Sequence, residues 1–161
     1  MATWEKFNTK LFIDISENHD GTEWARLRKS TVFDLAFNAE TETFDFIDQQ
    51  VPTEFIKGYK PSMSQETAMM DSDPLFNYMF ELMQSLPTGE DAIRKCMVVF
   101  PKEKTTGHYV AWNCECVITF SNYNAVDRKI SFNIGFSGDM DKGTATVSED
   151  GNTPTFIPDG K

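Results

Sequence analysis

Two runs in the C-terminal half alternate apolar and polar residues for longer than most strands last. Over residues 109–120, Val110, Trp112, Cys114, Cys116, Ile118 and Phe120 share one face; over residues 128–136, Ile130, Phe132, Ile134 and Phe136 do the same. A period of two places successive side chains on opposite sides of a strand, so the runs predict two strands with a turn between them. Asn113, Glu115 and Thr119, with Lys129, Ser131 and Asn133, fall on the other face. One side is therefore core and the other wet, the pattern of antiparallel pairing.

Upstream, Leu11, Ile13 and Ile15 alternate in TKLFIDI, a strand followed by a turn with Asp20-Gly21 at its tip. WARLRK reads as a short strand. Phe33, Leu35 and Phe37 define another strand face, and Phe44 and Phe46 a further one, with NAETE as the hairpin loop between them. Residues 49–71 contain Pro52, Gly58 and Pro61 and show no clear period, apart from KPSMSQET, which has some strand character. This predicts a long mid-chain loop, unusual for a connector and therefore either functional, mobile or packed on its own domain. A helix is expected over about residues 74–86: Asp73 suits the N-cap, Pro74 the first helical position, and Leu75, Met79, Leu82, Met83 and Leu86 form one stripe. Pro87 and Gly89 end it. That stripe packs on a sheet or, alternatively, forms a methionine-rich groove for a partner helix. TATV reads as a last strand, followed by a C-terminal arm over 148–161. With 40% hydrophobic residues and fourteen Phe, residues 1–161 predict a single domain: mainly β, an antiparallel sandwich or barrel with one packed helix.

Charge and composition exclude several function classes. The net charge is −10, from 25 acidic and 15 basic residues, which repels nucleic acid unless a basic patch forms locally. The basic residues come in short groups, such as Arg26, Arg28 and Lys29. The opening MATWEKFNTK lacks the apolar stretch of a signal peptide, and no run reaches the ~20 apolar residues of a membrane span, so a cytoplasmic chain is expected. Three cysteines fit a reducing compartment. His19 and His108 lie in no catalytic pattern. Cys114 and Cys116 are ~7 Å apart along a strand, awkward for a disulfide or a shared zinc, and read as core thiols. No catalytic residue, metal site or cofactor is expected, and the chain does not read as an enzyme.

The opening MATWEKFNTKLFIDI, the mid-chain helix DPLFNYMFELMQSL and ITFSNYNAVDRKISFNIGFSGDMDKGTATV, with its Ser-Gly-Asp turn after a regular strand, occur in an order that resembles the major tail proteins of bacteriophages with long non-contractile tails. The versions from lactococcal phages are the nearest likeness, which extends over nearly the whole chain. The resemblance implies a β-sandwich flanked by a helix. It also implies hexameric rings of the protein itself, stacked into a tube that conducts DNA into the host without binding it specifically. Tape measure, tail terminator and baseplate proteins are the implied partners, with assembly in the host cytoplasm and residence in the virion tail. On this reading the acids of the 33–48 hairpin, Asp34, Glu40, Glu42, Asp45 and Asp48, are candidates for the lumen wall, since residues 34–56 carry no Lys or Arg. Val51, Phe55, Ile56, Tyr59, Met69 and Met70 are candidates for ring-to-ring contact, and Phe156 and Ile157 for contact through the C-terminal arm. Three other readings stand: a monomeric small-molecule-binding β-barrel, the inner tube of a contractile injection machine, and a hydrolase using scattered carboxylates.

Overall fold

The computed structural model of the chain describes residues 3–159, the Lys6 side chain excepted. Its strands are β1 (Lys10–Asp14), β2 (Trp24–Arg26), β3 (Asp34–Ala36), β4 (Ala39–Phe44), β5 (Thr53–Tyr59), β6 (Ser62–Ala68), β7 (Ile93–Thr105), β8 (His108–Asn124), β9 (Lys129–Val147) and β10 (Pro154–Pro158), with helix α1 (Pro74–Gln84) between β6 and β7. β8 and β9 form the expected long hairpin, in register from Tyr109 opposite Ala145 to Asn124 opposite Lys129. Ser137-Gly138-Asp139, read as a turn after a strand, is instead a bulge inside β9: Gly138 takes φ 70° and the strand runs on to Val147. An extra stretch in one strand bends it and increases its twist.

The principal sheet is antiparallel, in the order β2-β1-β7-β8-β9-β6-β3, with β10 added to β9. Its two ends meet along one stretch of chain. The Leu27 N–H donates to the Leu11 carbonyl at 2.9 Å, on the β1 side. A few residues on, the Thr31 N–H donates to the Glu66 carbonyl at 2.9 Å, and the Ala68 N–H to the Lys29 carbonyl at 2.9 Å, on the β6 side. Residues 24–36 thus bridge β1 to β6 and curl the sheet into a barrel.

The barrel interior is filled. Leu11, Ile13, Val98, Cys116, Phe132 and Ile134 point inward and meet Leu75, Met79 and Leu82 of α1. The Asp73 carboxylate accepts from the Leu75 N–H at 3.1 Å, and Pro74 occupies the first turn, as expected. The helix ends at Gln84, two residues early, because a residue before proline is disfavoured in the α region. Leu86 turns left-handed, φ 49°, and lies exposed. Met79 is wholly buried on the sheet, so the stripe packs on its own domain.

Among the described residues, the outer face is dry in one region. Phe12, Met97, Val99, Ala111 and Ala145 form a second cluster there, flanked by Trp24, Tyr109 and Phe156. The C-terminal arm expected over 148–161 is in large part β10: Pro154–Pro158 pairs with residues 143–147 of β9 and lays Phe156 on this cluster. A Cβ at Gly143 would overlap the Ile157 carbonyl oxygen and lie 2.8 Å from Phe156 Cζ, so glycine is what lets β10 seat. Residues 160–161 of the expected arm lie outside the described residues.

The long loop expected over 49–71 holds two strands, β5 and β6. β6 coincides with KPSMSQET, the part of the loop with some strand character; its signal is weak because two of its three inward residues are polar: Gln65 and Thr67 are each 1% exposed, beside Met63. Ser30 Oγ bonds Gln65 Oε1 at 2.8 Å, but Gln65 Nε2 and Thr67 Oγ1 have no partner. A buried hydroxyl without a hydrogen bond costs about 1–3 kcal/mol. Thr67→Val, which keeps the side-chain shape, is therefore expected to stabilise the fold by about 1 kcal/mol. A urea-unfolding midpoint lower than that of the parent chain would contradict it.

Candidate assembly surfaces

The residues expected to form a hairpin over 33–48 do not pair with one another. β3 joins the barrel through β6, while NAETE lies across the start of β4, which pairs with β5. β4 and β5 form a separate two-stranded sheet. All of β4 is exposed, and of β5 only Thr53 and Gly58 are half-buried. With both faces in solvent, the hairpin has no inward side to impose alternation, so the periodicity that reveals the other strands is missing here.

This arm is fixed at its base. Asn38, at φ 48°, donates through Nδ2 to the Lys60 carbonyl and to Ser62 Oγ, each at 2.9 Å. Phe37 stands edge-on to Trp112 at 6.4 Å, and Trp112 to Phe100 at 5.0 Å. Along the arm, Lys60 pairs with Glu40 at 2.9 Å and Lys57 with Glu42 at 3.9 Å. These pairs are largely in solvent and worth little each. Toward the tip, Phe44 stacks on Phe46 at 5.7 Å and meets Phe55 edge-on at 5.6 Å. Ile47 and Val51 in the turn, and Ile56 and Tyr59 further down β5, are also exposed, Ile47 completely. A lone two-stranded ribbon is marginally stable in water, and a contiguous exposed apolar surface marks an interaction site.

The expected contact residues therefore divide. Val51, Phe55, Ile56 and Tyr59 all lie on the arm, Val51 in its turn, Phe55 and Ile56 on opposite faces of β5 and Tyr59 at its base opposite Ala39; Met69 and Met70 lie on the barrel beyond β6, where the Met70 carbonyl accepts from the Asp73 N–H at 3.0 Å. Of the acids, Asp34 sits exposed on β3, Glu40 and Glu42 are paired on the arm, and Asp45 and Asp48 stand in its turn. The lysines that neutralise Glu40 and Glu42 follow the acid-rich stretch in sequence and reach it only across the β4–β5 ladder. Phe156 is half-buried in its own core; Ile157 is 44% exposed.

The cysteines are three together. Cys96 on β7 faces Cys114 on β8 across the strands, Sγ to Sγ 3.6 Å, with Cys116 alongside. The neighbouring thiols, and burial after them, push Cys96 well above the ordinary thiol range, so the group stays protonated and unreactive. Among the described residues no group of three or more His, Cys, Asp or Glu is placed to hold a metal ion. Among the described residues no helix is long and apolar enough to cross a membrane. A carrier barrel needs an enclosed ligand cavity, whereas the inward positions here are taken by Phe132, Met63, Ile118 and the helix stripe.

No family model matches the sequence, and no curated protein does. Solved structures do match. The chain aligns with one in the tail of an empty gene transfer agent particle, refined with helical C6 symmetry, at TM-score 0.58 and 14% identity, over 86% of this chain and 97% of that one. The virion of a native gene transfer agent particle gives 0.57 and 13%, over 86% and 97%. The fold is that of a particle tail chain. It extends to an extracellular contractile injection system, in the sheath/tube terminator of PVC in the extended state, at TM-score 0.51 and 8% identity, over 88% and 97%. These identities carry the fold alone.

Asn38→Ala removes both base hydrogen bonds and places an unsuitable residue at positive φ. Limited chymotrypsin digestion of this variant should cut at Phe44, Phe46 or Phe55 several-fold faster, with β8 and β9 left intact. Unchanged cleavage would mean that the base does not hold the arm.

Proposed function

We propose that the chain is the repeating subunit of a tail tube. Copies close into rings, rings stack, and the hollow filament conducts genomic DNA from a virion. The arm is the observation that carries this reading. A folded domain that projects an aromatic ribbon into solvent gains by burying it on another molecule, and a self-assembling filament supplies that molecule at every position. The likeness to a gene transfer agent tail supports the same reading, and its C6 symmetry is the basis for six copies per ring. Val51, Phe55, Ile56 and Tyr59 serve contact between rings, with Ile157 as a lesser contact. Chemistry is not part of the task; enclosure is.

Asp34, on the barrel wall, is kept as a lumen candidate. A negative wall avoids the counterion-release affinity that each phosphate contact would add, so DNA slides without sticking. A tape measure protein inside the tube, a terminator at one end and a baseplate at the other are the partners of such a filament. Non-contractile and contractile tails would use the same subunit design, and the presence of a sheath decides between them.

Electron microscopy of the concentrated protein at low and at high salt tests this. Rings or tubes are expected for the parent chain. A variant with residues 40–58 replaced by a short Gly-Ser turn should remain a folded, β-rich monomer. Tubes of normal length from the armless variant, or a parent chain that stays monomeric around a bound small molecule, would overturn the reading.

A further inference from the structure

Against a net charge of −10, one region of the barrel is basic. Arg26 and Arg28 lie along one edge of an open groove of about 320 Å³, with Lys29 beside them and Trp24, Ile15 and Pro74 as its apolar lining. Lys10 stands close enough to Arg26, and Arg26 to Arg28, for each positive charge to oppose its neighbour. Like charges gathered in this way repel unless something negative answers them. Among the described residues, the four ion pairs within 4.0 Å use Lys57, Lys60, Lys104 and Lys129, and none uses Arg26 or Arg28. Arg26 instead donates to the Phe7 carbonyl at 2.9 Å, and Arg28 to Asn152 Oδ1. The acids nearby are differently engaged. Asp73 caps α1 through Oδ1 while its Oδ2 has no partner among the described residues, and Asp150, near enough to Arg28 to feel its charge, accepts from Ser148 Oγ and from the Asn152 N–H. Glu23 completes the lining.

The arm has the opposite character. Its aromatic tip is interleaved with Asp45 and Asp48 in the turn and Glu54 on β5, and none of these three is in an ion pair within the chain among the described residues. Apolar rings with carboxylates outside any ion pair on one surface match, on another, apolar walls edged by guanidinium groups that are hydrogen-bonded to neutral acceptors and likewise outside any ion pair. Arginine is suited to this, because its planar fork binds carboxylates through two parallel hydrogen bonds and stacks on aromatic faces. The arm does not fold back on its own barrel, so the complementarity is available to a second copy.

Resting on the tube reading, we infer that the groove edged by Arg26, Arg28 and Lys29 is the receptor for the arm tip of a neighbouring copy, with Asp45, Asp48 and Glu54 facing those cations and Phe46 entering beside Trp24.

Charge reversal tests this directly. Arg26→Glu with Arg28→Glu, and separately Asp45→Lys with Asp48→Lys, should each raise the concentration needed for half-maximal assembly by about tenfold. Both pairs combined in one chain should restore most of that loss. Near-UV circular dichroism establishes that each variant keeps its barrel. A second measurement does not depend on tube formation. Copies carrying light and heavy nitrogen are mixed at high concentration and joined with a carbodiimide, which links a carboxylate to an amine in direct contact. Peptide pairs of mixed isotope joining Lys29 or Lys10 to Asp45, Asp48 or Glu54 are expected. Assembly of the groove variant at the parent concentration, a combined variant no better than its parts, or arm cross-links confined to other lysines would overturn the inference. Mixed-isotope links at the groove from a parent chain that never forms rings would instead refute the tube reading and leave the groove–arm contact standing.

Discussion

Every strand in an antiparallel sheet must find a partner on both sides or leave a row of unpaired amides, and this requirement organises the molecule. The stretch from Trp24 to Ala36 meets it twice, bonding β1 through its first half and β6 through its second. Closure gives Leu11, Ile13, Phe132 and Ile134 one interior to share with α1. It also fixes what is left over. β4 and β5 have no place in the barrel and pair only with each other, so their outer edges and both faces remain open.

Stability and assembly are thereby separated in space. The barrel and the Phe12 cluster hold the fold, and glycine at 143 lets β10 cover part of the outer face. The arm contributes almost nothing to that core, and its aromatic rings are worth more once a neighbour dries them. Charge follows the same division. The chain as a whole is negative, while Arg26, Arg28 and Lys29 gather on one side of the barrel. On the proposed groove–arm contact, a cationic recess and an acidic projection on one molecule would favour a directional, head-to-tail contact over random association.

The sequence was most legible where one face is dry. The β8–β9 hairpin, the β1 strand and the Asp73-capped helix all follow from periodicity and capping chemistry, because burial is what creates periodicity. Three features resisted for physical reasons. β6 shows in the sequence only as the weak strand character of KPSMSQET, because its inward residues Gln65 and Thr67 are polar. The arm hides because it has no inward face at all, so NAETE reads as a hairpin loop although cross-strand pairing with β5 makes most of it strand. Cys96 could not be joined to Cys114 and Cys116, since the contact depends on the register of β7 against β8. Among the expected contact residues, Val51, Phe55, Ile56 and Tyr59 stand exposed on and beside the strand β5, whereas they were legible as anchors of a loop. The lysine partners of Glu40 and Glu42 and the groove around Arg26 were not, because both arise from pairing between distant segments.

The central claim is that a second copy, and nothing within the chain, orders and buries the arm. Hydrogen exchange of the amides of residues 39–59 tests it most directly, measured in dilute monomer and again in concentrated, assembled protein. Fast exchange in the monomer and strong protection on assembly, with the barrel amides protected in both, is the expected result. Equal exchange of the arm in the two states would contradict it.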